Sequence, residues 1–182
     1  MEFSWKDFLQ FILYVVVVGV LTYSVVHFVG QRTVVKGSSM EPTLSNGDQL
    51  IVDKVTYHFH EPKRFDIIVF PYQYEENTYY IKRIIGLPGE SVRIDEKGAI
   101  FINGEELIES YGREVIKNAG LAATEITLGE DEYFVLGDNR NNSTDSRAED
   151  VGLIKESDIV GRALVRIYPF DEIGIVLPQK EK

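Results

Sequence analysis

Residues 79–89, Tyr-Tyr-Ile-Lys-Arg-Ile-Ile-Gly-Leu-Pro-Gly, form the stretch that decides the fold. Side chains alternate between the two faces of a β-strand, so Lys82 shares a face with Tyr80 while Arg83 faces the other side. The Pro-Gly pair suits the two central positions of a type II turn. The stretch therefore predicts a strand over 79–85 that ends in a tight turn and directs two neighbouring cations into different environments.

The rest of the chain repeats this pattern of short β-branched runs between Gly, Pro, Asn and Asp, which is typical of antiparallel β proteins. Asn103 and Gly104 predict a two-residue hairpin, and residues 108–124 have no clear period and are predicted as loop with a short helix. Because no long helix is predicted after residue 31, doubly wound folds are excluded. Strands are predicted at 32–35, 49–55, 66–70, 79–85, 91–94, 99–102, 125–128, 132–136 and 160–168.

The N-terminal region is apolar, with no Asp, Glu, Lys or Arg between Phe8 and Gln31. About 20 such residues cross a hydrocarbon core as a helix. The alternative is a cleavable signal peptide. The run is longer than the apolar core of such a peptide, and the residues before the run are not basic, as those of a signal peptide are. We therefore predict one transmembrane helix within 1–31, and a β domain over 32–182 that contains a smaller inserted β subregion near 93–130.

Composition limits the possible functions. The chain has 182 residues and a net charge of −10, and such acidity argues against nucleic acid as a partner. It has no cysteine, which excludes disulfides, thiol catalysis and cysteine-based metal sites.

The three histidines are weak candidates for a catalytic base. His27 lies in the apolar run, and His58 and His60 lie in a segment predicted to be exposed. A metal site at His58 and His60 would need further ligands that the sequence does not assemble. We therefore expect neither a metal nor a cofactor.

A serine and a lysine offer a different chemistry. Ser39 lies in residues 37–44, Gly-Ser-Ser-Met-Glu-Pro-Thr-Leu, and a serine hydroxyl attacks well only when a nearby base takes its proton. A lysine is such a base only when burial lowers its pKa. Apart from Arg83, the neighbours of Lys82 in residues 79–85 are apolar or aromatic, and there is no acid between Glu76 and Glu90. Taken singly, Ser39 is more typical of a loop residue and Lys82 of an exposed edge strand.

A third cluster is rich in Asp, Asn, Ser and Arg, at residues 136–147. Its composition is typical of a turn-rich loop. Such a loop either is solvated at the surface or forms a side-chain network around a site.

The clusters together resemble the type I signal peptidase family, particularly its small Gram-positive members. The matching segments are 37–44, 64–70, 80–89 and 137–147, in this order behind the apolar run. This resemblance implies that Ser39 is the nucleophile, that Lys82 is the general base and that the hydroxyl of Ser143 orients the lysine ammonium. It also implies an oxyanion hole built on the backbone N–H of Ser39, without the serine that many Gram-negative relatives have where this chain has Gly37.

The resemblance further implies two supporting ion pairs, in which Arg83 pairs with Asp138 and Asp145 with Arg147. It implies that the substrates are the signal peptides of exported preproteins, cleaved after a small-x-small motif. The peptide would bind as an extended strand between residues 33–37 and 80–82. The expected pocket walls are Val35, Met40, Leu44, Tyr80 and Ile81.

The implied location is the bacterial cell membrane, with a single lipid-embedded span and the catalytic domain on the extracytoplasmic side. Two alternatives remain open at this point. One is a Ser-Lys protease of the self-cleaving repressor type, and the other is a catalytically inactive membrane-anchored scaffold.

Overall fold

The computed structural model of the chain describes residues 5–24 and 30–176. Helix α1 (Trp5–Ser24) contains much of the apolar run, and the side chains described on it are exposed. No helix within those two ranges combines the length and the apolarity that crossing a membrane requires. The transmembrane assignment stays a prediction. His27 lies outside the described residues. So do the parts of the two predicted domains at 1–4, 25–29 and 177–182.

The described part of the chain after α1 contains twelve β-strands and four single-turn 3-10 helices. The strands are β1 (Gly30–Val34), β2 (Gln49–Asp53), β3 (Ile67–Pro71), β4 (Tyr79–Gly86), β5 (Ser91–Ile94), β6 (Ile100–Ile102), β7 (Glu105–Glu106), β8 (Ile126–Thr127), β9 (Glu132–Leu136), β10 (Ile154–Lys155), β11 (Gly161–Tyr168) and β12 (Gly174–Ile175). The 3-10 helices are Thr56–His58, Gly120–Ala123, Glu156–Asp158 and Phe170–Glu172.

The larger sheet has the strand order β1-β2-β11-β3-β4-β9-β10, and β12 pairs with β11. All of these pairings are antiparallel. Strand β4 pairs with β3 from Tyr79 to Arg83, whereas β9 pairs with β4 only from Arg83 to Gly86. The segment from Tyr79 to Lys82 is therefore paired on one edge, and its other edge is available to a further strand.

The smaller sheet has the order β7-β6-β5-β8 and is inserted in the chain between β4 and β9. The hairpin between β6 and β7 turns at Asn103 and Gly104, whose φ angles are 51° and 82°, which confirms the predicted turn. The two sheets approach closely at Gly86, where a Cβ would lie 2.6 Å from Val92 Cγ2 and 2.7 Å from Leu128 Cδ1. One apolar cluster, including Ile85, joins the sheets.

The architecture confirms the predicted mainly antiparallel β class. All nine predicted strands are present, although several begin or end one or two residues from the predicted positions. Strands β7, β10 and β12 were not predicted, and each has two residues. The smaller sheet lies between Ser91 and Thr127, where the inserted subregion was predicted, and the division of the chain into domains stays a prediction.

Candidate active site

The loop that carries Ser39 lies between β1 and β2 and rests on apolar side chains. Met40 and Leu44 are buried and belong to a cluster with side chains of β2, β3 and β11. The N–H of Leu44 donates to the carbonyl of Met40 at 2.9 Å, which closes a helical turn. Gly37 enters the loop with φ of 89°, a conformation that glycine adopts without a steric penalty. The burial of two side chains that follow Ser39 fixes its position on the body of the protein.

The side chain of Lys82 ends beside Ser39. Its Nζ lies 2.8 Å from Ser39 Oγ and 3.0 Å from the carbonyl of Ile81. It also lies 5.0 Å from the centre of the Tyr80 ring, because alternation along β4 places both side chains on one face. The distance to Ser39 Oγ suits a proton transfer between a hydroxyl and an amine.

Burial alters the protonation of Lys82, which is only 4% exposed. Removing the ammonium from water lowers the pKa of Lys82 from 10.5 to about 8, although the carboxylates of Asp145 and Asp138 act in the opposite direction. A neutral amine is therefore accessible near physiological pH, which a solvated lysine does not provide.

Arg83 points to the other face of β4 and pairs with Asp138. Its Nε donates to Oδ1 at 2.8 Å and its Nη2 donates to Oδ2 at 2.6 Å, and the two side chains are 1% and 0% exposed. Nη1 donates to the carbonyl of Phe65, and the guanidinium stacks on Tyr111 at 3.8 Å. The hydroxyl of Thr43 donates to Asp138 Oδ2 at 2.5 Å. This network ties β4 to the loop that carries Ser39 and to the loop that follows β9.

A second buried pair joins Asp145 and Arg147. Arg147 Nε donates to Asp145 Oδ1 at 2.8 Å and Nη2 donates to Oδ2 at the same distance. The N–H of Gly137 also donates to Asp145 Oδ2, at 3.0 Å. The other donors of Arg147 are used by carbonyls of Asn118 and Arg140. These contacts hold together the two ends of the loop after β9.

Ser143 lies close to this centre, but its hydroxyl has no hydrogen-bond partner among the described residues. The hydrogen bond to Lys82 that the family resemblance implied is therefore not formed in this structure. Gly137 packs against both serines, since a Cβ there would overlap Ser143 Oγ and lie 2.5 Å from the carbonyl oxygen of Ser39. Only a glycine at this position allows the two loops to approach so closely.

Further residues contact the site and were not singled out from the sequence, and Thr43 and Asn139 are two of them. The hydroxyl of Thr43 binds Asp138, and Asn139 binds the backbone carbonyls of Ser38 and Ser39. Asn139 Nδ2 donates to the carbonyl of Ser38 at 3.1 Å, and its N–H donates to the carbonyl of Ser39 at 3.0 Å. The density of asparagine in residues 136–147 was the available signal, but composition does not show which amide meets the backbone.

A groove of about 540 Å³ passes over Ser39 and Lys82. One wall is formed by residues 33–39 and the other by residues 77–82, which include the unpaired edge of β4. Among the predicted pocket residues, Val35, Tyr80 and Ile81 line this groove. Met40 and Leu44 do not line it, because their side chains are directed into the core below the loop.

The remaining candidates are remote from the groove. His58 belongs to a 3-10 helix, and both His58 and His60 are exposed. Across residues 5–24 and 30–176, no group of three or more His, Cys, Asp or Glu side chains could hold a metal ion.

Comparison with known proteins gives consistent matches. The family model described as "Signal peptidase, peptidase S26" matches residues 6–168. The protein named "Probable signal peptidase I-2" of Synechocystis is 36% identical over 168 residues, which are 90% of this chain and 74% of that protein. "Signal peptidase I P" of Bacillus subtilis subsp. natto is 35% identical over 92% of this chain and 93% of the relative.

"Signal peptidase I T" of Bacillus subtilis is 36% identical over 87% of this chain and 84% of its own length. Among solved structures, a signal peptidase I from Enterococcus faecalis V583 is 34% identical, with a TM-score of 0.45. That match covers 57% of this chain and 97% of the solved one.

Proposed function

Because the chain belongs to the signal peptidase family, peptidase S26, we propose that it is a serine endopeptidase that removes N-terminal signal peptides from exported preproteins. The observation that carries the proposal is the contact of 2.8 Å between Lys82 Nζ and Ser39 Oγ. The contact lies in a groove that passes along the free edge of a strand. A nucleophile, a base of lowered pKa and a peptide-sized groove are the three parts that such a hydrolase needs.

In the proposed mechanism, the neutral amine of Lys82 takes the proton of Ser39 as Oγ attacks the carbonyl carbon of the scissile bond. The tetrahedral intermediate places its oxyanion at the backbone N–H of Ser39. The ammonium of Lys82 then gives its proton to the leaving amine, and the signal peptide stays attached to Ser39 as an ester. Lys82 next takes a proton from a water that attacks the ester, which releases the signal peptide and restores the hydroxyl.

Ser143 takes part when the partners of Lys82 change. Once Ser39 Oγ is acylated, it has no hydroxyl proton to donate to the neutral amine of Lys82. The hydroxyl of Ser143, which has no other partner among the described residues, then orients Lys82. The pair of Arg83 with Asp138 supports this arrangement by tying β4 to the loop after β9, and the pair of Asp145 with Arg147 fixes that loop internally.

The substrate adds as an extended strand to the sheet. The edge from Tyr79 to Lys82 supplies main-chain donors and acceptors, and residues 33–37 face it across the groove. Alternate side chains of an added strand enter the protein, two residues apart. Val35 and Ile81 line the groove together with Ser39, and their branched side chains favour small substrate side chains at the positions one and three residues before the scissile bond.

Helix α1 connects the enzyme to the bilayer in this proposal. Its exposed side chains are mostly apolar, and lipid is an environment that would cover an apolar helix surface. The catalytic domain lies on the extracytoplasmic side, where signal peptides of exported preproteins emerge. No metal or cofactor takes part in the proposed steps.

Cleavage of a model preprotein in detergent tests the function. We expect the wild-type chain to cut after a small-x-small motif, and Ser39→Ala and Lys82→Ala each to abolish cleavage. Ser157→Ala and Lys155→Ala are matched controls, because both side chains are exposed and outside the groove, and both should be fully active. Full activity of Ser39→Ala or Lys82→Ala would overturn the proposed mechanism.

A further inference from the structure

The peptide unit between Ser38 and Ser39 has a defined orientation that bears on the oxyanion hole. Its bond is trans, so its C=O and its N–H point in opposite directions. The C=O of Ser38 accepts two hydrogen bonds, from Asn139 Nδ2 at 3.1 Å and from the N–H of Glu41 at 3.2 Å. One donor belongs to the loop after β9 and the other to the next turn of the Ser39 loop itself, so the N–H of Ser39 points away from both of them.

The N–H of Ser39 is free to serve a substrate. Within the described residues it donates to no backbone acceptor. The two carbonyls that flank it are held by one residue, because the N–H of Asn139 donates to the C=O of Ser39 at 3.0 Å. The side chain of Asn139 is buried, and its loop contacts Ser39 directly because Gly137 has no Cβ. Because the side chain of Asn139 is already confined by burial, it loses little conformational entropy when its amide binds the C=O of Ser38.

We propose that Asn139 is the positioning residue of the oxyanion hole, which holds the C=O of Ser38 so that the N–H of Ser39 faces the developing charge. Position 37 is a glycine, so the oxyanion hole lacks the hydroxyl donor that a serine there would add. The alignment of the donor that is present, the N–H of Ser39, therefore matters more. Asn139 acts through Ser39 and contacts neither substrate nor Lys82 in this role. The inference rests on the proposed function of Ser39.

The inference predicts a specific kinetic change in Asn139→Ala. This variant removes the side-chain amide but keeps the backbone bond from Asn139 to Ser39, so the loop stays in place. We expect kcat for preprotein cleavage to fall about tenfold or more and KM to change less than about twofold, since an oxyanion donor acts only in the transition state. The pH midpoint of the rate should not move, because no titratable group is changed.

A peptide aldehyde that ends in alanine separates positioning from a structural effect. Ser39 Oγ adds to the aldehyde carbon, and the hydroxyl proton is transferred to the former carbonyl oxygen, which occupies the oxyanion hole. Asn139→Ala should bind the aldehyde more weakly by about the same factor as its loss in kcat/KM. The corresponding peptide alcohol, which forms no adduct, should bind the variant and the wild type equally.

Asn139→Asp is the second variant, because it keeps the size of the side chain and removes its donor. Asn103→Asp adds the same charge at an exposed site outside the groove and keeps its acceptor for the N–H of Ser91. We expect Asn139→Asp to lose at least as much kcat as Asn139→Ala, and Asn103→Asp to remain fully active.

A kcat of Asn139→Ala within about twofold of wild type would overturn the inference, and so would an equal loss of affinity for the aldehyde and the alcohol. Neither result would affect the proposed function if Ser39→Ala remains inactive. Activity in Ser39→Ala would instead remove the premise. Thermal melting of each variant establishes that the compared proteins are folded.

Discussion

The rate of cleavage should rise with pH along a limb centred near pH 8, because the proposed base is the neutral amine of Lys82. Burial lowers the pKa of Lys82 from 10.5 to about 8, against the opposing effect of Asp145 and Asp138. This depression corresponds to roughly 3 kcal/mol of preference for the neutral form. Because the lowered pKa makes the neutral amine available at lower pH, activity increases through this value and is constant above it.

The titration also gives the size of the effect. With a pKa of about 8, the neutral fraction is about 1% at pH 6, about 9% at pH 7 and about 50% at pH 8. The value of kcat/KM should therefore rise about ninefold from pH 6 to pH 7, about fivefold in the next unit, and less than twofold above pH 8. A lysine with an ordinary pKa would still gain about tenfold per unit at pH 9.

The assay is the initial rate of preprotein cleavage in detergent at constant ionic strength, with a melting curve at each pH to establish that the enzyme is folded. His58→Ala is the control, because His58 is exposed and outside the groove, and its midpoint should equal that of the wild type. A limb centred near pH 6.5 that disappears in a histidine variant would refute the role of Lys82. A rate that is independent of pH between 6 and 9 would refute it equally.

Three further variants test the supporting structure. Asp138→Asn should lower the free energy of unfolding by about 3 kcal/mol, because it leaves the buried guanidinium of Arg83 without a counter-charge. The control is Glu41→Gln at an exposed ion pair, which should cost less than about 1 kcal/mol in the same urea titration. Gly137→Ala should abolish cleavage, since its methyl group would overlap Ser143 Oγ, and normal kinetics in a folded variant would contradict the packing. Lys82→Met should abolish cleavage and raise stability at pH 7 by up to about 3 kcal/mol. The folded protein binds the Lys82 proton less tightly than the unfolded chain does, so this gain should shrink between pH 8 and 10.5, and a variant less stable than wild type at pH 7 would contradict it.

The longer strands could be predicted because each has enough residues to display alternation and ends at a turn with its own signature. The hairpin at Asn103 and Gly104 is an example, since both residues tolerate positive φ. Strands β7, β10 and β12 have two residues each, and two residues define no period. Strand β8 is equally short but lies within the longer predicted run at 125–128.

In the active site too, the features that depend on neighbouring residues could be predicted, and the features that depend on tertiary packing could not. An acid-free apolar strand indicated the lowered pKa of Lys82, because burial of such a strand is a local expectation. The direction of Met40 and Leu44 into the core depends on how the Ser39 loop packs on β2, β3 and β11, which no local pattern shows. The contact of Asn139 with two backbone carbonyls is equally invisible in composition, because the partners are 100 or so residues apart.

The most direct test of the central claim is cleavage of one model preprotein by the wild-type chain beside Ser39→Ala, with the mass of both products measured. The account predicts a single cut after a small-x-small motif by the wild type and no product with Ser39→Ala, even at long incubation and at pH 9. The same product from a folded Ser39→Ala variant would contradict it, because the hydroxyl at position 39 would then not be the nucleophile.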